Sequence, residues 1–384
     1  MKTQKNLSIR HIWMVMVLII FSHCADSVRS QQPPPEQKTS RKIQIALLLD
    51  TSNSMDGLID QAKSQLWNIV NELAKARCDE GKPQLQIALY EYGNDNLPSS
   101  EGYIRLVTPL TSDLDQISKD LFALRTNGGN EFCGQVIQTA LKQLEWSRSA
   151  NDLQLIYIAG NEPFTQGNVY YKTACADAKE KHVIVNTIHC GGFNEGINTS
   201  WKDGADITGG SYASIEQNRK TVYIDSPYDQ RIIELNVLLN HTYIPYGHAG
   251  FEKKENQLAQ DENARTYGSV NYVKRAVSKS SYVYDNKTWD LVDASKQSDF
   301  ELEKISSKDL PEEMQSMSVT EKMNYIQQKS NERESISKEI QELNTKRDAY
   351  VAEQRISQNN EEMLDNAILS SLKNQAKSRN FIIE

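Results

Sequence analysis

Short apolar runs alternate with longer amphipathic segments between residues 42 and 240. Buried strands are predicted by the apolar runs at 43–50, 85–92, 153–159 and 182–189, with shorter strands at 103–110 and 212–215. Helices are predicted by the apolar period at 57–77, 114–124, 133–144, 171–180 and 228–239. This alternation predicts an α/β fold with a doubly wound, mostly parallel sheet and an antiparallel hairpin at one edge.

The periodic pattern fades after residue 240. Residues 241–309 are rich in Asn, Ser, Lys, Gly and Tyr, and one short apolar patch lies at 289–292. We therefore expect an irregular connector here, extended or loosely ordered, that can lie against the α/β domain.

Residues 310–384 are charged and follow a helical period. Arg333 and Arg347 interrupt a seam of apolar residues at heptad-compatible spacing. The residues of this seam are Ile336, Ile340, Leu343 and Tyr350. The pattern predicts a helical, partly coiled-coil tail that self-associates weakly or docks on a partner. A second apolar stripe follows at Met363, Leu364, Ala367, Ile368 and Leu372.

The N-terminus has the features of an export signal. Basic residues precede an uncharged run at 12–21, and small polar residues follow it. We expect a signal peptide over 1–30, a Pro/Gln-rich spacer over 31–41, and a periplasmic, cell-surface or secreted protein. In the alternative, lipid attached to Cys24 or a retained N-terminal anchor holds the protein at a membrane.

Composition narrows the possible partners and chemistry. The 384 residues carry a formal charge of -8, and no basic run is interleaved with aromatic residues. This balance argues against nucleic-acid binding, which depends on neutralising phosphates. The four cysteines beyond Cys24 permit either free thiols or one or two disulfides, and their pairing is left open. They are Cys78, Cys133, Cys175 and Cys190.

The end of the first strand carries the most informative motif. Asp50 is followed by Ser52 and Ser54 in the loop that opens the next helix, at the edge of the sheet where ligands collect. A carboxylate and two hydroxyls are hard oxygen ligands suited to Mg²⁺, Mn²⁺ or Ca²⁺. The alternative interpretation is a helix N-cap formed by one of the serines.

These residues resemble the opening of a von Willebrand factor type A domain, with its DxSxS metal-ion-dependent adhesion site. The resemblance covers about residues 42–240. It implies a binding module rather than an enzyme. In that family the protein or surface ligand often completes the coordination of a divalent cation with its own acidic side chain. Three features further along the chain also resemble the family. They are Gly128-Gly129, Asn161-Glu162-Pro163 and the segment 205–212.

Two positions depart from the family pattern. Asn130 and Glu131 follow the glycine pair where the family usually has a threonine, and Gly160 stands where a second aspartate is usual. Either Asn130 or Glu131 offers a replacement oxygen. The predicted metal site therefore comprises Asp50, Ser52 and Ser54, with Asn130 and Glu131 as substitutes.

Two other functions compete with the binding module. An enzyme is disfavoured, because only Asp50, Glu131 and Glu162 bring titratable groups to the strand ends. The second rival is a metal-free scaffold or assembly subunit in which the helical tail makes the interactions.

Overall fold

The structure is a computed structural model that describes residues 41–79, 81–216, 223–357 and 364–383. The predicted signal peptide, all but the last residue of the spacer, and Cys24 lie outside the described residues. So do Met363 and the side chains of residues 364–368. No described helix combines the length and the apolar character that a membrane crossing requires.

A six-stranded sheet forms the centre of the fold, in the spatial order β4-β3-β1-β5-β6-β7. Among the described strands of this sheet only the β3–β4 pair is antiparallel, which confirms the predicted mostly parallel sheet with a hairpin at one edge. The central strands are apolar on both faces because helices cover both faces. The strands are β1 (Lys42–Asp50), β3 (Gln84–Tyr92), β4 (Ile104–Thr111), β5 (Leu153–Gly160), β6 (Ile184–His189) and β7 (Tyr212–Ser214).

Helices pack on both faces of this sheet and complete the doubly wound fold. Apolar side chains of α1, α2 and α7 join one buried cluster, and those of α3, α4 and α6 join the other. Helix α1 is shorter than predicted, because the chain turns after Leu73 into a short strand. The helices are α1 (Asp56–Leu73), α2 (Leu114–Ala123), α3 (Cys133–Gln143), α4 (Tyr171–Glu180), α5 (Phe193–Asn198), α6 (Trp201–Thr208) and α7 (Asp229–Asn240).

The irregular connector expected over 241–309 is wrong in its central part. Helices α8 (Gly250–Thr266) and α9 (Ser269–Lys279) occupy it, followed by the short α10 (Leu291–Ala294). Helix α9 is buried at almost every position and packs against α1, α7 and α8. The sequence interpretation missed a helical period in α9, because buried polar side chains such as Arg275 and Lys279 lie among its apolar ones. The apolar side chains with that period are Val270, Val273, Ala276 and Val277.

The tail is helical, as predicted, and it packs on the rest of the chain. It contains α11 (Glu312–Gln315), α12 (Val319–Ser357) and α13 (Leu364–Ser378). Ile336, Ile340 and Leu343 pack into the buried cluster beneath α1 and α7. The last strand, β8 (Ile382–Ile383), pairs antiparallel with β2 (Ala76–Arg77).

Arg333 and Arg347, the two charged residues that interrupt the apolar seam of the tail, form ion pairs with the rest of the chain. The Arg333 guanidinium lies 2.7 Å from Asp290 and 2.9 Å from Asp293, and Arg347 lies 2.9 Å from Asp229. Both arginines are buried. A charged residue fits this face of α12 because the facing surface supplies carboxylates rather than a second apolar helix.

The four cysteines whose pairing the sequence left open form no disulfide in the described part of the chain. Cys133, Cys175 and Cys190 are buried, and Cys78 is half-buried. They therefore behave as small core residues here.

Candidate functional site

The first strand delivers Asp50 to the carboxyl edge of the sheet. The Asp50 side chain is fully buried, and its Oδ1 accepts a hydrogen bond of 2.7 Å from the backbone N–H of Ser52. The next backbone N–H, that of Thr51, donates to the carbonyl of Tyr92 on the neighbouring strand at 2.8 Å. The loop is thus fixed by its own backbone before α1 begins.

The two serine hydroxyls of the motif lie together above Asp50. Ser52 Oγ is 3.2 Å from Ser54 Oγ, and Ser54 Oγ donates to Asn161 Oδ1 at 3.4 Å. Neither serine forms a side-chain cap at the start of the following helical turns. The N-cap alternative is therefore wrong, since the two hydroxyls contact each other and Asn161 instead of the helix backbone.

Glu131 reaches the site from the loop that precedes α3. Its backbone N–H donates to Gln166 Oε1 at 2.7 Å, and its carboxyl Oε2 accepts from the backbone N–H of Glu162 at 3.4 Å. The side chain is buried and lies within hydrogen-bonding reach of both Asp50 and the Ser52 hydroxyl. The structure thus brings Glu131 together with Asp50, Ser52 and Ser54.

Asn130 does not join this group. It is exposed, and across the described ranges its side chain makes no hydrogen bond to the other four residues. Of the two substitutes that the sequence offered, the geometry favours Glu131, because Glu131 alone turns inward toward Asp50.

The electrostatics of the pair differ from those of exposed carboxylates. Burial, followed by the charge of Glu131, holds the pKa of Asp50 well above its ordinary value of 3.8. Burial likewise raises the pKa of Glu131 above 4.5. Asp50 Oδ2 is buried and receives no hydrogen bond from a donor group in the described part of the chain. A proton shared with Glu131 or a bound cation would satisfy this atom.

Close backbone approach makes room for the pair. A Cβ atom built on Gly93 would lie 2.7 Å from Asp50 Oδ1 and 2.8 Å from Glu131 Cγ, and the φ of Gly93 is +78°. Any larger residue at this position would push the two carboxyl groups out of place. Gly93, the first residue after β3, is therefore part of the site.

Tyr92 is a site residue that the sequence interpretation missed. Its hydroxyl donates to the carbonyl of Ala159 at 2.9 Å, and a Cβ atom built on Gly160 would lie only 2.5 Å from that hydroxyl oxygen. The phenol therefore occupies the space beside Gly160 where the family's second aspartate is expected. The available signal was the sheet register, which pairs Tyr92 directly with Asp50.

The donor set suits a small hard cation. Asp50, Glu131, Ser52 and Ser54 supply only oxygen ligands, and Asp50 Oδ2 is buried without a hydrogen bond from the described residues. Within the described ranges, no three His, Cys, Asp or Glu side chains are grouped as a metal site. The two serine hydroxyls are therefore needed to raise the ligand count above that of a carboxylate pair.

Comparison with known proteins agrees with this geometry. The model of the von Willebrand factor type A domain family matches residues 44–211. No curated protein matches the chain.

Solved structures similar to this chain include the SpRpn10 VWA domain, with a TM-score of 0.35, 17% identity, and coverage of 47% of this chain and 90% of that one. BatB from Bacteroides thetaiotaomicron, described as a conserved hypothetical protein, has a TM-score of 0.35 and 16% identity, and the match covers 45% of this chain and 90% of that one. Proximal thread matrix protein 1 from the mussel byssus, with a zinc-occupied MIDAS motif, has a TM-score of 0.34 and 13% identity, and the match covers 47% of this chain and 43% of that one. The matching family model and the strand order around Asp50 identify residues 44–211 as a von Willebrand factor type A domain.

Proposed function

We propose that this chain is a binding module whose strand-end site holds a divalent cation and presents it to a protein or surface ligand. The observation that carries the proposal is the buried pair of Asp50 and Glu131 beside two serine hydroxyls, with Asp50 Oδ2 unsatisfied. Mg²⁺, Mn²⁺ or Ca²⁺ would suit these oxygen ligands. An acidic side chain of the ligand would fill a remaining coordination position.

Exposed apolar side chains near the same edge support a protein partner. Tyr170, in the loop that follows β5, is 60% exposed, and Phe193, which begins the helix after β6, is 54% exposed. Aromatic side chains are enriched where proteins bind one another. We propose binding rather than catalysis, since these groups suit recognition and the paired carboxyls suit a cation.

We also propose that the protein is exported. The basic N-terminus, the uncharged run at 12–21 and the spacer over 31–41 support this proposal. Fractionation of the host cells, with the N-terminal residue of the mature chain determined, would distinguish cleavage from lipid attachment at Cys24.

Isothermal titration of the full mature chain with Mg²⁺ or Mn²⁺ tests the cation site. Asp50→Ala should strongly lower the affinity for the cation while the domain stays folded. Asp95→Ala is the matched control, because Asp95 is an exposed carboxylate on the same edge of the sheet. An equal loss of cation affinity in both variants would contradict the proposed cation site. So would a wild type that binds no Mg²⁺ or Mn²⁺ at millimolar concentration.

A metal-free scaffold is the second candidate, and one observation favours it. The carboxyl groups of Asp50 and Glu131 lie close enough to share a proton, which would satisfy both without a cation. In that case ligand binding would be unchanged by chelators. The scaffold would then depend on the surface of the C-terminal helices rather than on the strand ends.

A further inference from the structure

We propose that His189 is a proton switch that releases helix α5 from the edge of the sheet when the pH falls. His189 is the last residue of β6, which runs parallel to β5 and β1, so its ring lies at the same edge of the sheet as Asp50. The side chain is only 1% exposed, and neither ring nitrogen makes a hydrogen bond in the described part of the chain. Burial without a hydrogen-bond partner favours the neutral imidazole.

The groups that face this ring come from four elements. Trp201 of α6 packs against it with 5.6 Å between ring centroids, and β5 presents Gly160, its partner in the sheet register. The neighbouring strand β7 carries Tyr212, whose hydroxyl donates to the carbonyl of Phe193 on α5 at 2.7 Å. Helix α5 itself presents Glu195, whose Oε2 lies 3.9 Å from Nε2 of the imidazole.

Other titratable groups nearby are engaged elsewhere. On α6, Lys202 pairs with Asp206 at 2.6 Å, and Asp203 pairs with Lys172 at 3.1 Å. Cys190, the next residue along the chain, packs in the cluster on the other face of the sheet, because consecutive strand residues point to opposite faces. Among the described residues, the carboxylate of α5 is therefore the charge positioned to act on the imidazole.

Glu195 lies too far out to compensate for burial of an imidazolium. Its side chain is 66% exposed, and 3.9 Å exceeds the roughly 2.7–2.9 Å of a charge-assisted hydrogen bond. Burial lowers the pKa of His189 below its ordinary value of 6.5, and the charge of Glu195 offsets part of that effect. Below pH 6.5, protons therefore favour an arrangement in which water reaches the ring over the closed arrangement.

Helix α5 is the element that can admit this water at low cost. Within this helix, which lies wholly in the described range 81–216, Gly196 is the one buried residue. A Cβ atom built on Gly196 would lie 2.8 Å from Cγ of His189, so the helix backbone packs directly against the ring. Elements with few buried contacts open at the lowest free energy. Release of α5 would also move Phe193, and the effect of that movement on a partner rests on the proposed function.

NMR titration of the full mature chain tests the switch, in a chelator and without a ligand. The His189 signal, identified by its loss in His189→Asn, should titrate below pH 6.5. Glu195→Gln should lower the midpoint further, because it removes the opposing charge. Glu180→Gln is the matched control, an exposed carboxylate at the opposite edge of the sheet, and should leave the midpoint unchanged. A wild-type midpoint at or above 6.5, or equal midpoints in wild type and Glu195→Gln, would overturn the proposal.

Loosening α5 should in return make His189 easier to protonate. Tyr212→Phe removes the hydrogen bond to the carbonyl of Phe193, so the open arrangement gains population and the midpoint should rise toward 6.5. Tyr246→Phe is the matched control, because it removes a hydrogen bond of the same 2.7 Å length, to the carbonyl of Lys287. An unchanged midpoint in Tyr212→Phe, or an equal rise in Tyr246→Phe, would contradict the coupling and overturn the proposal.

Amide hydrogen exchange of residues 193–198 measures the release of α5 directly. Comparison of wild type with His189→Asn at each pH removes the intrinsic effect of pH on exchange. The ratio of the wild-type rate to the variant rate should rise several-fold between about pH 8 and pH 5, the range in which histidine changes its charge. A ratio that does not change with pH would overturn the switch. The chelator keeps these measurements independent of the cation site at Asp50, so failure of either proposal leaves the other standing.

Discussion

The buried carboxyl groups of Asp50 and Glu131 lie within hydrogen-bonding reach of each other, and a hydrogen bond between them requires a proton on one of the two. Burial raises the pKa of both groups. Asp50 Oδ2 receives no hydrogen bond from a donor group among the residues described. Protons and a divalent cation therefore compete for the same oxygen atoms.

Stability without a cation should fall as the pH rises. The unfolded chain loses these protons near the ordinary pKa values of 3.8 and 4.5, whereas the folded chain keeps them to higher pH. Across that window the folded state binds more protons, so the free energy of unfolding decreases with pH. Urea unfolding in the presence of a chelator, at a series of pH values, measures the slope of the free energy of unfolding against pH.

Two variants control this measurement. Glu131→Gln should flatten the slope, because it removes one titrating carboxyl group from the pair, whereas Asp95→Asn on the same edge should leave it unchanged. Saturating Mg²⁺ should recover the stability lost at higher pH. A slope that is the same in wild type and Glu131→Gln would contradict the pairing.

The hydrophobic pattern of the sequence predicted the sheet because its central strands are almost unbroken apolar runs. The run at 43–50 is apolar almost throughout, and such a run has few alternatives to a buried parallel strand. Helix α8 escaped prediction because its burial is largely polar, and α9 escaped because buried polar side chains lie between the apolar ones. Arg275 is fully buried between Asp115 at 2.7 Å and Asp261 at 2.9 Å, and no local pattern reveals partners so distant in sequence.

The site was predictable to the extent that its residues are adjacent in sequence. Asp50, Ser52 and Ser54 belong to one loop, and Glu131 was found because it follows a glycine pair. The choice between Glu131 and Asn130 required the direction of each side chain. The role of Tyr92 required the sheet register, which places it beside Asp50.

Gly160→Asp should destabilise the domain rather than restore the family's cation ligand. The new Cβ would lie 2.5 Å from the Tyr92 hydroxyl oxygen, and the rigid ring that carries this oxygen is buried. Overpacking of this kind typically costs about 1–3 kcal/mol. Urea unfolding of Gly160→Asp, Tyr92→Phe and the double variant measures the coupling between the two positions.

Removal of the Tyr92 hydroxyl should relieve part of this cost, so the double variant should be more stable than the two single losses predict. Gly192→Asp is the matched control, because a Cβ atom there meets its nearest neighbour at an ordinary 3.7 Å. Tighter Mg²⁺ binding by Gly160→Asp, without loss of stability, would show that the loop adapts and that the family's coordination transfers.

Arg333→Leu should strongly destabilise the chain. The guanidinium contacts Asp290 at 2.7 Å, donates to the carbonyl of Thr242 at 2.7 Å and lies 3.9 Å from the ring centroid of Tyr243. Its loss leaves the buried Asp290 carboxylate without its cation, which typically costs about 3–5 kcal/mol. Denaturant unfolding measures the change.

A second substitution distinguishes this charge effect from loss of packing. Arg333→Leu combined with Asp290→Asn should recover part of the stability, because the uncompensated charge is removed as well. Lys338→Leu, at a position whose side chain is 78% exposed on the same helix, should change the free energy of unfolding by only about 0.5 kcal/mol. Similar losses at Arg333 and Lys338 would contradict the buried ion pair.

Removal of the tail should cost stability, because its apolar residues complete the core of the domain. Ile340, Leu372 and Phe381 are buried in the cluster shared with α1 and α7, and burial of each such side chain contributes about 1.5–3 kcal/mol. A chain ending before α12 should therefore unfold at lower denaturant than the full mature chain. Urea unfolding of the two chains makes this comparison.

The isolated tail, residues 310–384, should self-associate weakly. Its apolar stripe then lacks the surface of α7 and α9 that covers it in the full chain, and Arg333 and Arg347 keep any helical association weak. The full mature chain should not associate through this stripe, since Ile336 and Ile340 already pack internally. Sedimentation velocity of the tail, the full chain and residues 42–240 tests both expectations. If the full chain and the 42–240 fragment form the same oligomer, the interface lies on the α/β domain instead of the tail.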